Sequence, residues 1–326
     1  MTTDTQLPNI ELPESINYIA AFLTFSCQLR CSYCINHHGG DLVKGRWMNG
    51  EDWIKGLNRI KPRPDLPITI QGGEPTVHKH FYKIAREINP AIPLDLLTNL
   101  EVDAAVFHKE VSPTRFKREA PYASIRVSYH HGQSNFQAAM AKVLYLKNLG
   151  YSIGIWEVDN PEYHGEVIVR QQQAHSLGID YRLKEFLGPH KGEVHGTMRY
   201  EEAVNSHWLR SCMCRTSELI IAPDGHVFRC HSDLYASRGP IGHMLDPNFG
   251  TAQLNQWAPC AVYGACNACD IKIKTDRRQT YGHSSVEIKE VSKPYAKNPN
   301  HVSTVVNTYG KTDAKNEASK SSETTN

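Results

Sequence analysis

Apolar residues recur along the first 190 or so positions in two alternating rhythms. Short, nearly continuous apolar runs read as buried strands, and they fall at residues 18–26, 67–71, 94–98, 124–129, 152–158 and 181–186. Helix-period stretches lie between them. One covers 51–60, with Trp53, Ile54 and Leu57 on a single face, and others cover 79–88, 135–149 and 166–177. The last two are followed by Gly150 and Gly178, the residue type that most readily ends a helix. The stretch before 124 is irregular and broken by Pro113 and Pro121. Strands alternating with helices predict a parallel sheet covered by helices. Six strands of this kind predict an α/β chain with a partial (β/α)6 TIM-like barrel over residues 16–190. Ligand chemistry in such folds sits at the C-terminal strand ends.

The rhythm changes after Gly188. Residues 191–211 read as a linker with a short helix. Within 212–275 a hairpin is expected, with strands at 219–222 and 226–230 around the turn Pro223-Asp224-Gly225, so this stretch is a small Cys-rich α+β extension. Residues 1–15 are polar and read as a loose lead. Residues 276–326 read as a largely disordered tail. Its end, from Lys311 to Asn326, has no aromatic residue and no aliphatic residue larger than alanine, so it cannot offset its ordering entropy.

Composition narrows the class. With 40% hydrophobic and 21% charged residues over 326 positions, the chain is an ordinary globular protein with room for a core. A net charge of +2 gives no footprint for nucleic acid or for a basic membrane patch. No apolar run approaches the ~20 residues of a membrane span. The first basic residue is Arg30, so an export signal is not expected, and a cytoplasmic location is. Nine cysteines is an odd count, which disfavours a disulfide framework in such a compartment. They fall in two groups, Cys27, Cys31 and Cys34, then Cys212, Cys214, Cys230, Cys260, Cys266 and Cys269. Thiols grouped this way point to metal.

The first group reads Cys27-Gln-Leu-Arg-Cys31-Ser-Tyr-Cys34 and follows directly on the first predicted strand. Three thiolates can hold three irons of a [4Fe–4S] cube and leave the fourth open. A closed zinc site needs a fourth ligand, for which His37 and His38 are the nearby candidates. At the end of the second strand stands Gly72-Gly73-Glu74-Pro75, where a glycine pair permits close backbone approach and a carboxylate can accept from an ammonium group.

Together, the C-x3-C-x2-C spacing with Tyr33 before the last cysteine and the GGEP element resemble the signature of the radical S-adenosylmethionine (SAM) enzymes. The resemblance implies that Cys27, Cys31 and Cys34 carry a [4Fe–4S] cluster bound with SAM. It also implies that Gly72, Gly73, Glu74 and Pro75 hold the SAM amino group. Asn99 at the end of the third strand, and Ser128 and His130 at the end of the fourth, match positions where relatives contact SAM. His78, His80 and His131 have no such placement and read as solvated.

The second group resembles the SPASM or twitch extension of the same family: Cys212 is followed after twelve residues by Gly225 and then, after four more, by Cys230. Cys266-x2-Cys269 adds a close pair. Cys212, Cys230, Cys266 and Cys269 are therefore expected to bind one auxiliary [4Fe–4S] cluster, although four thiolates also suit zinc. No Cys follows Cys269, so the full SPASM pattern is not met, and Cys214 and Cys260 are left outside the set.

The implied activity is reductive cleavage of SAM to a 5′-deoxyadenosyl radical that abstracts hydrogen from a substrate C–H bond. The expected partners are a small-molecule substrate and an external one-electron donor such as flavodoxin or ferredoxin, with no nucleic acid and no membrane. Only 26 residues precede Cys27, too few for a leader-binding domain, which tilts the reading from peptide toward small molecule. A peptide maturase of the SPASM class is the alternative. A non-catalytic Fe–S electron-transfer protein is the alternative of another class, and the intact cysteine triad and GGEP element argue against it. Arg126, Arg170, Arg182 and Lys184, near strand ends, are candidate partners for a phosphate or carboxylate.

Overall fold

A computed structural model describes residues 7–34, 47–274 and 283–301, and the backbone of 304–306. In chain order it contains β1 (Tyr18–Thr24), α1 (Gly50–Leu57), β2 (Ile68–Gly72), α2 (Phe81–Glu87), β3 (Leu94–Thr98), α3 (Ala104–Glu110), β4 (Ile125–Tyr129), α4 (Phe136–Asn148), β5 (Ile153–Asp159), α5 (His164–Ser176) and β6 (Asp180–Glu185). Then follow β7 (Gly188–His190), β8 (Glu193–His195), β9 (Trp208–Thr216), β10 (Glu218–Ile221), β11 (His226–Phe228), α6 (His231–Tyr235), β12 (Gly242–His243), β13 (Ala258–Tyr263), α7 (Ala268–Ile271), β14 (Val286–Lys289), β15 (Ala296–Lys297) and β16 (Thr304–Val306). The chain divides into two compact units, residues 1–184 with 215–256, and residues 185–214 with 257–326.

The first unit is built on a nine-stranded sheet in the order β12-β11-β10-β1-β2-β3-β4-β5-β6. Neighbours from β1 to β5 pair in parallel, as a partial (β/α)6 barrel requires. Each parallel strand is buried on both faces. One alternating set (Ile68 and Ile70, Leu94 and Leu96, Ile125 and Val127) joins the large core beneath the helices. The opposite set is polar. Arg126 and Asp95, each no more than 1% exposed, approach to 3.6 Å, and Arg118 meets both Asp95 oxygens at 2.8 and 3.0 Å.

Helix α4 is capped by Asn135, whose side chain accepts from the Ala138 N–H at 2.9 Å. Helix α3 falls in the stretch expected to be irregular. Asp103 caps it through the Ala105 and Val106 N–H groups, but Phe107 is its only buried residue, so the sequence carries almost no apolar rhythm there.

Four expectations about chain organisation are corrected. First, the lead is not loose in its described part. Ile10 and Ile16 are fully buried, and residue 10 bridges to residue 60, because apolar residues at these positions find the α1 side of the core. Second, the stretch 212–275 is not one lobe. Strand β10 is buried throughout and adds in parallel beside β1, carrying β11 and β12 with it as an antiparallel extension of the barrel sheet.

Third, the short helix expected within 191–211 is a single 3-10 turn at Glu201–Ala203, and a hairpin precedes it. Glycines at φ +114° (Gly188), +82° (Gly192) and +132° (Gly196) favour a hairpin, and β7 pairs antiparallel with β8. Fourth, the region expected to be a disordered tail contains β14 and β15, which join β9 and β13 in the four-stranded sheet of the second unit. The stretch 311–326 lies outside the described residues.

Arg59 is the principal fastener of the first unit. It is 3% exposed, and its guanidinium donates to four carbonyls, those of Pro8 (2.8 Å), Met244 (2.6 Å), Asp246 (3.0 Å) and Phe249 (2.6 Å). Replacing it strands these acceptors away from water. Arg59→Met is expected to destabilise the first unit by about 3 kcal/mol, whereas Lys83→Ala, which breaks the exposed pair with Glu51, should leave the unfolding midpoint nearly unchanged. Urea unfolding of the two variants measures the difference, and equal losses would remove Arg59 from this role.

Candidate functional site

The loop leaving β1 turns sharply twice. The Leu29 N–H donates to the Cys27 sulfur at 3.4 Å, and the Cys34 N–H donates to the Cys31 carbonyl at 3.1 Å. Cys31 is buried, while Cys27 and Cys34 are half-buried. Burial, followed by the nearby charges of Cys34 and Cys27, pushes the Cys31 thiol up to about 11. Burial likewise raises Cys27. The three sulfurs therefore feel one another, which is the donor arrangement that one polynuclear iron group shared between them needs. His37 and His38 lie outside the described residues.

The GGEP element is laid against this loop. The Gly73 N–H donates to the Thr24 carbonyl (2.7 Å), and the Glu74 N–H to the Ser26 carbonyl (2.8 Å). A Cβ on Gly72, whose φ is +153°, would lie 2.1 Å from the Thr24 oxygen, and one on Gly73 would lie 2.3 Å from the Ser26 oxygen. Both positions thus demand glycine because two chain segments touch there. That is a reason within the protein, separate from ligand approach. Pro75 starts a short 3-10 turn, Pro75–Val77, capped by Glu74.

Glu74 is bonded to both neighbouring strand exits. Its side chain is 1% exposed. One oxygen accepts from the Thr76 N–H (3.0 Å), the Thr76 hydroxyl (2.6 Å) and the Thr98 hydroxyl (2.7 Å), and the other accepts from the Asn99 N–H (2.6 Å). Through these bonds the carboxylate ties the exit of β2 to the exit of β3. Burial raises its pKa even though these donors oppose the shift.

Asn99 is buried and turned toward the cysteine loop. Its side-chain oxygen accepts from the Glu101 N–H (2.9 Å) and the Gln28 amide (3.2 Å), and its amide nitrogen lies 3.7 Å from the Cys27 sulfur. From the exit of β4, His130 Nδ1 meets the Tyr33 hydroxyl at 3.1 Å, with the two rings stacked at 6.0 Å. Gln133 accepts from the Arg30 N–H at 3.0 Å. Ser128 is half-buried on β4, in register with Trp156 of β5.

The cysteine loop, the GGEP element, Asn99 and His130 are thus brought together at the strand ends. Sequence reasoning missed Gln28 and Gln133, because an isolated glutamine gives no signal of its partner.

Three of the four candidate cations are already engaged inside the protein. Arg170 pairs with Glu157 at 2.7 Å, Arg182 pairs with Asp180 at 2.9 Å, and Arg126 is buried beside Asp95. Lys184 adds its charge near His130. Two histidines expected to be solvated are not. His78 is buried, and His131 stacks on Tyr163 at 4.0 Å.

The second unit carries its own thiol group. In the antiparallel pair β9–β13, Cys212 stands opposite Cys260, and Cys214 opposite Ala258. A hydrogen bond with Cys214 lowers the Cys212 pKa, but the bond with Cys260, burial and the charges of Cys260 and Cys266 outweigh it and raise the net value. Cys266 is raised by burial, then by Cys260, Asp270 and Cys214. Cys214 and Cys260, left outside the expected set, therefore sit with Cys212 and Cys266. Cys230 belongs to the first unit, where its sulfur caps α6. The expected set of Cys212, Cys230, Cys266 and Cys269 is thus divided between the units.

Residues 22–148 match the family model described as "Radical SAM superfamily". Among curated proteins, the chain is 39% identical over 79 residues to "Probable GTP 3',8-cyclase" of Pyrococcus abyssi, covering 24% of this chain and 25% of that protein. It is 26% identical over 212 residues to "Tungsten-containing aldehyde ferredoxin oxidoreductase cofactor-modifying protein" of Pyrococcus furiosus, covering 58% of this chain and 57% of that protein. The chain thus spans between a quarter and about three fifths of these relatives. Among solved structures, "Native anSMEcpe with bound AdoMet" is similar with a TM-score of 0.50 at 15% identity, covering 74% of this chain and 80% of that one. "Native anSMEcpe with bound AdoMet and Kp18Cys peptide" gives 0.51 at 16% identity, covering 77% and 81%. These two likenesses are of fold. Among the described residues, no helix is long and apolar enough to cross a membrane.

The Tyr33–His130 contact sets a pH dependence. Burial, with a contribution from Lys184, lowers His130 to about 4, so the imidazole is neutral where it meets the Tyr33 hydroxyl. A depressed histidine contributes its stability fully above the unfolded value of ~6.5 and loses it as pH falls toward the folded value. Between about pH 7 and about pH 5 the wild type should lose about 1–2 kcal/mol more than His130→Gln. Urea unfolding at the two pH values checks this, and equal losses would exclude His130 as the titrating group.

Proposed function

We propose that the chain, whose residues 22–148 match the radical SAM family model, is a radical SAM enzyme that reductively cleaves SAM and abstracts hydrogen from a C–H bond of a small-molecule substrate. The observation that carries this reading is the three-cysteine loop, held at a parallel-strand exit by Asn99, His130 and Gln133. Cys27, Cys31 and Cys34 would hold a [4Fe–4S] cluster. When bound and reduced, that cluster supplies the single electron that breaks the SAM sulfonium bond to give the 5′-deoxyadenosyl radical.

The protein's own part is to bind and orient. Gly72, Gly73 and Pro75 offer backbone groups beside the loop, and Ser128 offers a hydroxyl from β4. Glu74 and His130 act from behind, holding the β2 and β3 exits together and fixing Tyr33. An external one-electron donor of the flavodoxin or ferredoxin type would supply the electron. The small-molecule reading is supported by the relatives named for GTP and for a cofactor. A peptide substrate is the second reading, favoured by the fold neighbour whose description includes a peptide.

For the second unit we propose one auxiliary cluster held by Cys212, Cys214, Cys260 and Cys266. This set is supported by their mutual hydrogen bonds and charges, and it takes in the two cysteines that spacing alone left out.

Two measurements test these assignments. Replacing Cys27, Cys31 and Cys34 together with alanine should abolish 5′-deoxyadenosine formation by the reduced, reconstituted protein, and retained SAM cleavage would refute the assignment. In that same variant, about four iron and four sulfide per chain should remain. Adding Cys260→Ala should remove them, whereas adding Cys230→Ala should not. Loss with Cys230 and retention with Cys260 would reverse the ligand choice, and zinc without sulfide would make the site structural.

A further inference from the structure

Cys27 lies at the end of a chain of contacts that starts at a fully buried carboxylate. Glu74 fixes the Asn99 backbone through the N–H bond of 2.6 Å. The Asn99 side chain then has its orientation set from both ends. Two N–H donors, from Glu101 (2.9 Å) and Gln28 (3.2 Å), converge on Oδ1, and one of them is a backbone group that cannot reverse its role. Flipping the amide would set N–H against N–H, so Nδ2 must face the Cys27 sulfur, 3.7 Å away. A sulfur can accept there, and an asparagine oxygen would have nothing to offer it. The Leu29 N–H already donates to the same sulfur, so the side-chain donor is a second one, supplied from a different strand.

We propose that Asn99 is a positioning residue that donates an N–H···S hydrogen bond to Cys27 and thereby raises the reduction potential of the cluster that Cys27 helps to hold. The inference rests on the proposed [4Fe–4S] role of the three-cysteine loop. Reduction adds negative charge that is shared with the ligand sulfurs. A donor dipole held against one of them stabilises the reduced form, and more strongly in a half-buried site than in water. Asn99 is 7% exposed, so its amide is held in place by protein contacts. This differs from the contact with SAM that the resemblance implied for Asn99, and it would operate before SAM is bound.

The test is a redox titration followed by electron paramagnetic resonance, on the full-length reconstituted chain without SAM. The signal assigned to this cluster is the one that disappears in the Cys27, Cys31 and Cys34 triple alanine variant. Asn99→Asp keeps the shape and the acceptor for Glu101 and Gln28 but removes the donor and adds a negative charge. Asn99→Ala removes the donor, together with the acceptor for Glu101 and Gln28, and adds no charge. Both should lower the potential, Asn99→Asp more than Asn99→Ala. For Asn99→Ala, the reduced-to-oxidised ratio at a fixed poise should fall about tenfold, equivalent to about 59 mV for a one-electron couple.

A residue that only supports the loop would reduce the amount of cluster and leave the potential of the remainder unchanged. An unchanged potential in variants that retain the cluster would overturn the inference. If one variant fails to retain cluster, Asn99→Ser is read by the same criterion. Absence of any signal that depends on Cys27, Cys31 and Cys34 in the wild type would instead overturn the cluster assignment beneath it.

Discussion

The buried carboxylate of Glu74 is the constraint on which the arrangement of the strand ends depends. An ionised carboxylate away from water is tolerated only when its oxygens are met by donors, and here the hydroxyls of Thr76 and Thr98 and the N–H groups of Thr76 and Asn99 meet them. Those donors come from the exits of two neighbouring strands, so the carboxylate fixes one exit against the other. The neighbouring glycines do the same on the opposite side, letting the β2 exit run against Thr24, Phe25 and Ser26 where no side chain fits. The cysteine loop begins at that point of contact. Its position is therefore set by packing between β1, β2 and β3 before any iron is considered.

A second consequence of the parallel sheet is the polar floor inside it. Residues alternate along each strand, so a strand that gives Leu94 and Leu96 to the outer core must turn Asp95 inward, and Arg126 stands between Ile125 and Val127 for the same reason. Arg118 bonds to the Asp95 carboxylate through both of its oxygens, Arg126 lies 3.6 Å from the same carboxylate, and the Tyr122 ring lies 4.9 Å from the Arg118 guanidinium. The alternation of the strand thus gives Arg126 an acidic neighbour from within the sheet.

Much of this architecture was legible in the sequence because parallel strands buried on both faces leave dense apolar runs, as at 94–98, and a long amphipathic helix such as α4 shows its period. The cysteine triad and GGEP element were legible because their residue types are rare in that order. What the sequence hid was partnership. Nothing at Glu74 tells that Thr76, Thr98 and Asn99 meet its carboxylate. Nothing at Leu219 or Ile221 tells that their strand lies beside β1, because the pairing joins positions roughly two hundred residues apart. Short elements fixed by caps or glycines, such as α3 and the β7–β8 hairpin, leave too few apolar residues to count.

The cysteines of the second unit show the same limit more sharply. A pair spaced C-x-C reads as weak in a linear pattern, and C-x2-C reads as strong because it suits a tight turn at a metal. Within a strand the ranking changes. Cys212 and Cys214 are two residues apart on β9, so they share a face, and the antiparallel register sets Cys260 directly opposite Cys212. Three thiols are then neighbours through sheet geometry alone, with Cys266 close enough for its charge to be felt. Register, which spacing does not encode, decides which cysteines can act together. It also explains why the hairpin glycine at 225 pointed to Cys230: that hairpin is real, but its strands extend the barrel sheet and leave the thiol ladder to β9 and β13.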